Sequence, residues 1–269
     1  MYLLKDLRKK ERKTMAKSND KPWQKIFNDY RILEHDFNKS PFFVSALQIK
    51  KSCQKFKTTS EKEVRILCKQ DSRENRPLVF IDNNLFILPI KNGQFAILKG
   101  EGYISIPKIK APIKEYDSKL DFQLDTSKVG NSEMQHLDFA YASSLIRTFM
   151  EDSTLVLTIR GRKYTPEFEF QVGNQKLEVS GVQTEVDAGY EGKDKIVLVE
   201  AKNSSTDNTI IRQLYYPFRQ WQHHTNKKVF TLFFEKSKDG TYSIWQFEFK
   251  NKNNYNSIAL IKSERFKII

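Results

Sequence analysis

The feature that most constrains the fold is the run QTEVDAGYEGKDKIVLVEAK, in which two apolar-alternating stretches flank a short polar turn. Residues two apart along a strand point to the same face of a sheet. Glu185 and Asp187 therefore share a face of the first stretch, and Glu200 and Lys202 share a face of the second. The apolar run IVLV directly before Glu200 predicts a buried strand. The segment thus predicts a hairpin that carries three acids and one lysine into a sheet.

These charges, at this spacing, can hold a divalent metal and activate a water. If the turn centres near Lys193, Asp187 lies opposite Val199 or Glu200, and opposed residues have Cβ atoms ~5 Å apart. Two carboxylates that close repel each other unless a cation lies between them. Mg²⁺ prefers such a site, with few carboxylates and room for waters and phosphate oxygens. Lys202 can then position or deprotonate an attacking water, while the metal polarises the scissile phosphate.

The alternative is an amphipathic hairpin with a solvated charged face, because Glu-x-Lys is common in this charged chain. The pattern recurs in a polar tail, in a turn and in one further strand, at Glu11–Lys13, Glu191–Lys193 and Glu248–Lys250. Only Glu200–Lys202 ends an apolar strand and follows a strand that bears acids. Unpaired charge is costly in a buried strand, and this cost weighs against the alternative.

These two stretches resemble the core motif of the PD-(D/E)xK nuclease superfamily, and the resemblance covers roughly residues 130–235. Within the superfamily the chain is most similar to type II restriction endonucleases. The resemblance implies that Asp187, Glu200 and the backbone carbonyl of Ala201 bind Mg²⁺ and that Lys202 serves the water. The chain departs from the motif at one position, because Val186 precedes Asp187 where the motif has a proline.

The implied activity is that of a hydrolase, a type II site-specific deoxyribonuclease that cuts double-stranded DNA in a restriction-modification system. A palindrome-reading enzyme acts as a homodimer, because the two-fold symmetry of its site matches that of the protein. A cognate DNA methyltransferase is expected in the same system. Two alternatives stay open. One is the same chemistry used in repair, recombination or transposition, and the other is a non-catalytic DNA-binding protein on a nuclease scaffold.

The charge of the chain is unevenly distributed. Residues 1–119 hold 26 Lys and Arg against 14 Asp and Glu, whereas residues 120–269 hold 20 against 19. A basic excess of this kind favours a polyanionic partner. No apolar run approaches the ~20 residues of a membrane span, and the N-terminus lacks the apolar stretch of a secretory signal. The two cysteines make neither a metal cluster nor a disulfide framework, so we expect a cytoplasmic protein without membrane association.

Changes in composition along the chain predict four segments. Residues 1–20 are expected to form a basic flexible tail. Residues 21–107 are expected to form a DNA-binding or recognition domain. Residues 108–120, rich in lysine and proline, are expected to form a linker, and residues 121–269 the catalytic domain.

The N-terminal domain is predicted to contain three helices and then a β-hairpin. The helices begin near Trp23, at Ser45 and at a capping box over Ser60–Glu63. The strands are Leu78–Ile81, Leu85–Ile90 and Gln94–Lys99, the last two joined by the turn Lys91-Asn92-Gly93. Three helices followed by a hairpin resemble a winged helix, which would place Lys62, Arg65 and Lys69 against DNA. The alternative is a unit that only packs on the catalytic domain.

The catalytic domain is predicted to be an α/β (α+β) unit with a mixed central sheet flanked by helices, the core of a restriction endonuclease. A helix over residues 131–150, capped by Ser132, precedes strands over 155–159, 168–172, 176–180, 183–189 and 196–202. A helix over residues 208–222, interrupted at Pro217, links strand 196–202 to a parallel strand 229–234. Further strands are predicted over 242–249 and 257–261.

Several residues are expected to support this site. Superfamily members often place another acid on a helix before the sheet, and Glu133 is the first choice for it, with Asp138 second. The alternative role for Glu133 is an acid favoured at a helix N-terminus by the macrodipole. Glu185 is expected to support the metal indirectly. Arg212 and Gln213 are expected to contact DNA.

Overall fold

The computed structural model describes residues 17–130, 132–203 and 206–269. The chain divides between Glu101 and Gly102 into two compact units. The predicted tail lies outside the described residues as far as residue 16, and the first helix begins at Asp20. In the described part of the chain, no helix is long and apolar enough to cross a membrane.

From residue 17 onward, the first unit packs five short helices on a three-stranded antiparallel sheet in the order β1-β3-β2. Its core includes Trp23, Phe27 and Phe80, whose rings make edge-to-face contacts, and the Trp23 indole N–H donates to the Leu67 carbonyl at 2.9 Å. The elements are α1 Asp20–Asp29, β1 Phe42–Ser45, α2 Ala46–Cys53, α3 Thr59–Lys62, α4 Val64–Leu67, α5 Leu78–Asp82, β2 Leu85–Lys91 and β3 Gln94–Lys99.

The predicted second helix and hairpin of this unit are confirmed, whereas two other predictions are wrong. The capping box lies at Thr58 with Glu61, not at Ser60, and the predicted third helix splits into α3 and α4 because Glu63 is extended. The run Leu78–Ile81 is helical, not a strand. A four-residue apolar run has no periodicity that separates the two structures, and here Asp20 accepts the Leu78 N–H at 2.8 Å.

The second unit is a mixed α+β domain built on a seven-stranded sheet in the order β5-β14-β13-β12-β10-β9-β6. Two small two-stranded sheets, β4–β11 and β7–β8, accompany it. The strands are β4 Tyr103–Ser105, β5 Lys114–Tyr116, β6 Val156–Tyr164, β7 Phe168–Val172, β8 Gln175–Val179, β9 Gln183–Glu191, β10 Lys195–Lys202, β11 Asn208–Ile210, β12 Lys228–Lys236, β13 Tyr242–Phe249 and β14 Ile258–Ile268. The helices are α6 Glu133–Ala142, α7 Leu145–Phe149 and α8 Arg212–His224.

The large mixed sheet flanked by helices was predicted and is confirmed at this level. β9 and β10 form an antiparallel hairpin, and β10 runs parallel to β12 with α8 between them. One apolar cluster packs α6 and α7 on the sheet through side chains such as Leu137, Tyr190 and Val197. Helix α8 packs on β9, β10 and β12, with Leu214 and Pro217 beside Leu198, and its Tyr215 contacts Phe170 of β7. The central strand β10 is therefore covered on both faces, as its apolar run predicted.

Three predicted features of this unit differ in the structure. Lys114–Tyr116, placed in the predicted linker, forms the edge strand β5 beside β14. The predicted helix over residues 131–150, whose first residue lies outside the described ones, divides where Ser144 adopts a positive φ of 64°. Pro217 does not interrupt α8, although it has no N–H to donate to the Gln213 carbonyl one turn earlier.

Candidate functional site

Asp187 lies where β9 separates from β10. The pairing of the two strands ends at Val199 with Ala188, and beyond it β9 continues beside β6. Ile159 pairs with Gly189 and Gly161 with Val186, so two residues of β9, Asp187 and Ala188, oppose Arg160 alone. This irregularity is a β-bulge, a feature that often re-aims a side chain beside a functional site. The Asp187 carboxylate accepts the backbone N–H of Ala201 at 2.8 Å between Oδ2 and N.

Glu200 and Lys202 form an ion pair at the end of β10. Lys202 Nζ lies 2.6 Å from Glu200 Oε1, and Glu200 is only 8% exposed. Burial disfavours the charged ammonium of Lys202, but the nearby carboxylates of Glu200, Glu133 and Asp187 outweigh it and raise its pKa. Lys202 therefore keeps its proton and its charge in this arrangement, and it donates a hydrogen bond to Glu200.

Glu133 joins this group from the first turn of α6. The Ser132 hydroxyl caps the helix by accepting the Gln135 N–H, and the Glu133 carboxylate accepts the Asn203 N–H at 3.3 Å. Its charge raises the pKa values of both Asp187 and Lys202. Asp138, the second choice from the sequence, instead pairs with Arg160. The helix thus brings Glu133, not Asp138, to the end of β10.

Burial is the main influence on the Asp187 carboxyl. Its burial raises the pKa of the carboxyl, and the charges of Glu133 and Glu185 add to the rise, whereas the Ala201 N–H and Lys202 only partly oppose it. Glu185 itself is exposed, and its Oε2 lies 3.4 Å from Nε of Arg162. Bringing a cation to this group would lower the cost of ionising Asp187.

Two carboxylates and one backbone carbonyl are the groups here that could hold a cation. Among the described residues, no group of three or more His, Cys, Asp or Glu side chains is arranged to hold a metal. Mg²⁺ is usually held by one or two carboxylates with waters and phosphate oxygens, and Asp187 and Glu200 supply two. The N–H and C=O of one strand residue point to the same edge, so the Ala201 carbonyl lies on the edge facing Asp187. These three groups fit the ion.

The residues predicted to contact DNA fall in different places. Gln213 lines a small cleft with Glu185 and Glu200, and its side chain accepts the Thr209 hydroxyl at 2.6 Å. Arg212, in contrast, lies near the hydroxyls of Tyr216 and Tyr255. In the first unit, Lys62, Arg65 and Lys69 are exposed on or just after α3 and α4.

Sequence reasoning missed two charged residues of this region. Glu235 is the β12 register partner of Lys202, and burial raises its pKa while the Thr206 N–H lowers it. A signal was present, because the C-terminal ends of parallel strands meet at one edge of a sheet and Glu235 ends the predicted β12. Arg160, opposite the bulge and within electrostatic reach of Asp187, carried no such signal.

Two family models cover nearly the whole of the described chain. One, described as "Domain of unknown function (DUF6997)", matches residues 98–267, and another, "Domain of unknown function (DUF6996)", matches residues 20–97. No curated protein matches the chain. A solved structure titled "Crystal structure of SSO0001" aligns at 13% identity over 41% of this chain and 46% of that chain, with a TM-score of 0.22. The aligned region is thus less than half of that protein, and a TM-score this low does not indicate a shared fold.

Proposed function

We propose that this chain, which belongs to the DUF6997 family, is a Mg²⁺-dependent endonuclease that hydrolyses phosphodiester bonds in double-stranded DNA. Its sheet-bearing unit would be a restriction-endonuclease-like core of the PD-(D/E)xK superfamily. The observation that carries the proposal is the convergence of Asp187, Glu200 and Lys202 at the point where β9 and β10 separate.

A purely structural ion pair explains these residues less well. Glu200 and Lys202 alone would neutralise each other, but Asp187 and Glu133 add negative charge that the lysine does not balance. Buried charge without a matching partner costs stability, and perturbed pKa values of this kind cluster at functional sites. A divalent cation with a phosphate ligand accounts for both the excess of acids and the retained lysine.

The chain's own groups would divide the chemistry as follows. Asp187, Glu200 and the Ala201 carbonyl would hold Mg²⁺, which when bound supplies Lewis-acid polarisation of the phosphate. Lys202, protonated in this arrangement, would donate a hydrogen bond that orients the attacking water or the phosphate oxygen beside it. Glu133 and Glu185 would hold further waters at the site rather than bind the metal directly.

The partners follow from this activity as further proposals. The substrate would be double-stranded DNA read as a palindrome by a homodimer, and a cognate methyltransferase would protect the host sites. The first unit would then contribute DNA contacts through Lys62, Arg65 and Lys69, in the manner of a winged helix. Two-fold DNA symmetry matched to protein symmetry supports the dimer.

The test is digestion of a long unmethylated DNA with wild type and Lys202→Ala, in Mg²⁺ and in EDTA. Lys193→Ala is the matched control, because Lys193 is exposed in the turn at the other end of the same hairpin. We expect discrete fragments from wild type and Lys193→Ala in Mg²⁺ only, and a loss of at least about 100-fold in Lys202→Ala.

Other results of this digestion would favour the remaining functions. A Mg²⁺-dependent smear that requires Lys202 would favour a repair, recombination or transposition nuclease. DNA binding without any cleavage would favour a binding protein on a nuclease scaffold. Cleavage that persists in EDTA or in Lys202→Ala would contradict the proposed site.

A further inference from the structure

A second pocket opens on the sheet-bearing unit, against the C-terminal half of α8. Its volume is about 390 Å³, and its lining residues are Pro166, Glu167, Phe168, Arg219, Gln222, His223 and Lys252. Pockets that take small ligands or ligand groups start at ~300 Å³. None of the site residues discussed above lines it, so it is separate from the cluster around Asp187.

Arg219 is held rigidly at this pocket. Its Nη1 lies 3.1 Å from the Glu169 carbonyl, 2.8 Å from the Lys252 carbonyl and 3.0 Å from the Tyr215 hydroxyl. The guanidinium also stacks on Phe168 with 4.6 Å between its carbon and the ring centroid. Among the residues that the structure describes, the contacts of Arg219 use only Nη1 or the face of the group, which leaves Nε and Nη2 as donors for a ligand. A guanidinium fixed in advance loses less entropy when it binds an oxyanion.

The charge of the pocket favours an anion. Arg219 and Lys252 contribute positive charge, and Glu167 is the acid in the lining. Within the described residues, neither Arg219 nor Lys252 forms an ion pair with a carboxylate; the partners of Arg219 are neutral oxygens. Their charges are therefore uncompensated by local acids other than Glu167.

Gln222, which lines the pocket, has an unsatisfied side-chain atom. Gln222 Oε1 is buried and has no hydrogen-bond partner within the described part of the chain, and neither has Nε1 of the adjacent Trp221. Buried polar atoms are nearly always partnered. This oxygen is an acceptor, so the donors for an anion in the pocket are those of Arg219 and Lys252.

We propose that this pocket binds a phosphate group, and that the phosphate belongs to the backbone of the nucleic-acid strand that the candidate site engages. The nucleic-acid source rests on the proposed function, whereas phosphate binding itself does not. Arg219 and Gln222 lie six and nine residues beyond Gln213 on α8, or about 9–14 Å along the helix. That length corresponds to about three or four nucleotide steps of 3.4 Å, so one helix would hold one strand at two points.

The experiment measures binding of a fluorescein-labelled 30-base-pair duplex to the full chain in EDTA, over a series of salt concentrations. Lys252→Gln removes a charge but keeps the carbonyl that Arg219 and Tyr215 use, so the fold is retained. We expect it to reduce the salt slope of log Kd by about one. Glu167→Gln should tighten binding, and Lys193→Gln, an exposed lysine in the β9–β10 turn, should leave the slope unchanged.

A second probe separates the two sources of phosphate. Inorganic phosphate should weaken duplex binding less in Lys252→Gln than in wild type, because the variant has lost the site at which the two compete. Equal slopes for wild type, Lys252→Gln and Arg219→Gln would overturn the proposal, even if inorganic phosphate still binds the pocket. Binding is measured in EDTA and cleavage is measured in Mg²⁺, so the two results are independent. A protein that binds DNA with the expected salt slopes but does not cut it in Mg²⁺ would refute the nuclease function and leave this phosphate site standing.

Discussion

The variant Asp187→Asn tests whether Asp187 binds a metal or only supports the fold. In the metal-free protein, burial and the neighbouring acids raise the pKa of Asp187, so its ionised form lowers stability above the unfolded-state pKa. Asparagine removes that charge and keeps an oxygen that can accept the Ala201 N–H. We therefore expect the variant to melt at the same temperature as wild type or higher when EDTA is present.

Mg²⁺ should reverse the order of stability. A ligand at 100 times its Kd stabilises the folded state by about 2.7 kcal/mol. For a unit of this size 1 kcal/mol shifts the Tm by about 2–4 °C, so Mg²⁺ should raise the Tm of wild type by roughly 5–11 °C. Asp187→Asn should lose most of that shift, because one of the two carboxylates that fit the ion is gone.

The assay is differential scanning fluorimetry in EDTA and over a Mg²⁺ titration at neutral pH. Asp194→Asn is the matched control, since Asp194 is exposed in the turn of the same hairpin, and it should keep the full shift. If Asp187→Asn melted well below wild type in EDTA, or if both variants kept the same Mg²⁺ shift, Asp187 would be a structural residue and the reasoning would be refuted.

Three further predictions concern the surroundings of the site. Glu133→Gln should lower the rate of Mg²⁺-dependent cleavage about 10- to 100-fold. Asp138→Asn loses only an exposed ion pair and should change this rate little. Cleavage rates of both variants are measured at saturating Mg²⁺. Lys202→Arg should not restore the activity lost in Lys202→Ala, because a planar guanidinium cannot replace a compact ammonium, and recovery to near wild type would contradict a positioned lysine. Burial raises the pKa of Glu235 in the folded state, so Glu235 stabilises the fold at pH values below its unfolded-state pKa near 4.5 and loses that contribution as pH rises through its folded-state pKa. Urea unfolding across this pH window should therefore show wild type losing stability relative to Glu235→Gln. A constant difference in the free energy of unfolding would refute the assignment.

The hairpin was predictable because its information is local. The alternation around Asp187 and the apolar run before Glu200 define two strands, and a short turn sets their register to within a residue. The same reasoning predicted the crossover through α8, since parallel neighbours require a long connection. Local information also failed where it was ambiguous, as at Leu78–Ile81, where a contact with Asp20 selects a helix.

The choice between Glu133 and Asp138 was not predictable from spacing. Both lie on α6, and either is a plausible acid before the sheet. The difference arises from tertiary contacts, because Arg160 on β6 pairs with Asp138 and Asn203 binds Glu133. Neither partner lies near the helix in sequence.

The bulge in β9 connects the fold to the site. Were β9 to pair regularly with β10 beyond Val199, a backbone carbonyl would take the Ala201 N–H, and the Ala201 carbonyl would be held in the ladder. Because Asp187 and Ala188 together oppose Arg160, the two strands separate, and a carboxylate receives that N–H instead. The separation leaves a backbone carbonyl and two carboxylates beside a lysine at the end of β10. A bulge of this kind often re-aims a side chain beside a functional site, and here it accompanies the turn of Asp187 toward the backbone of β10.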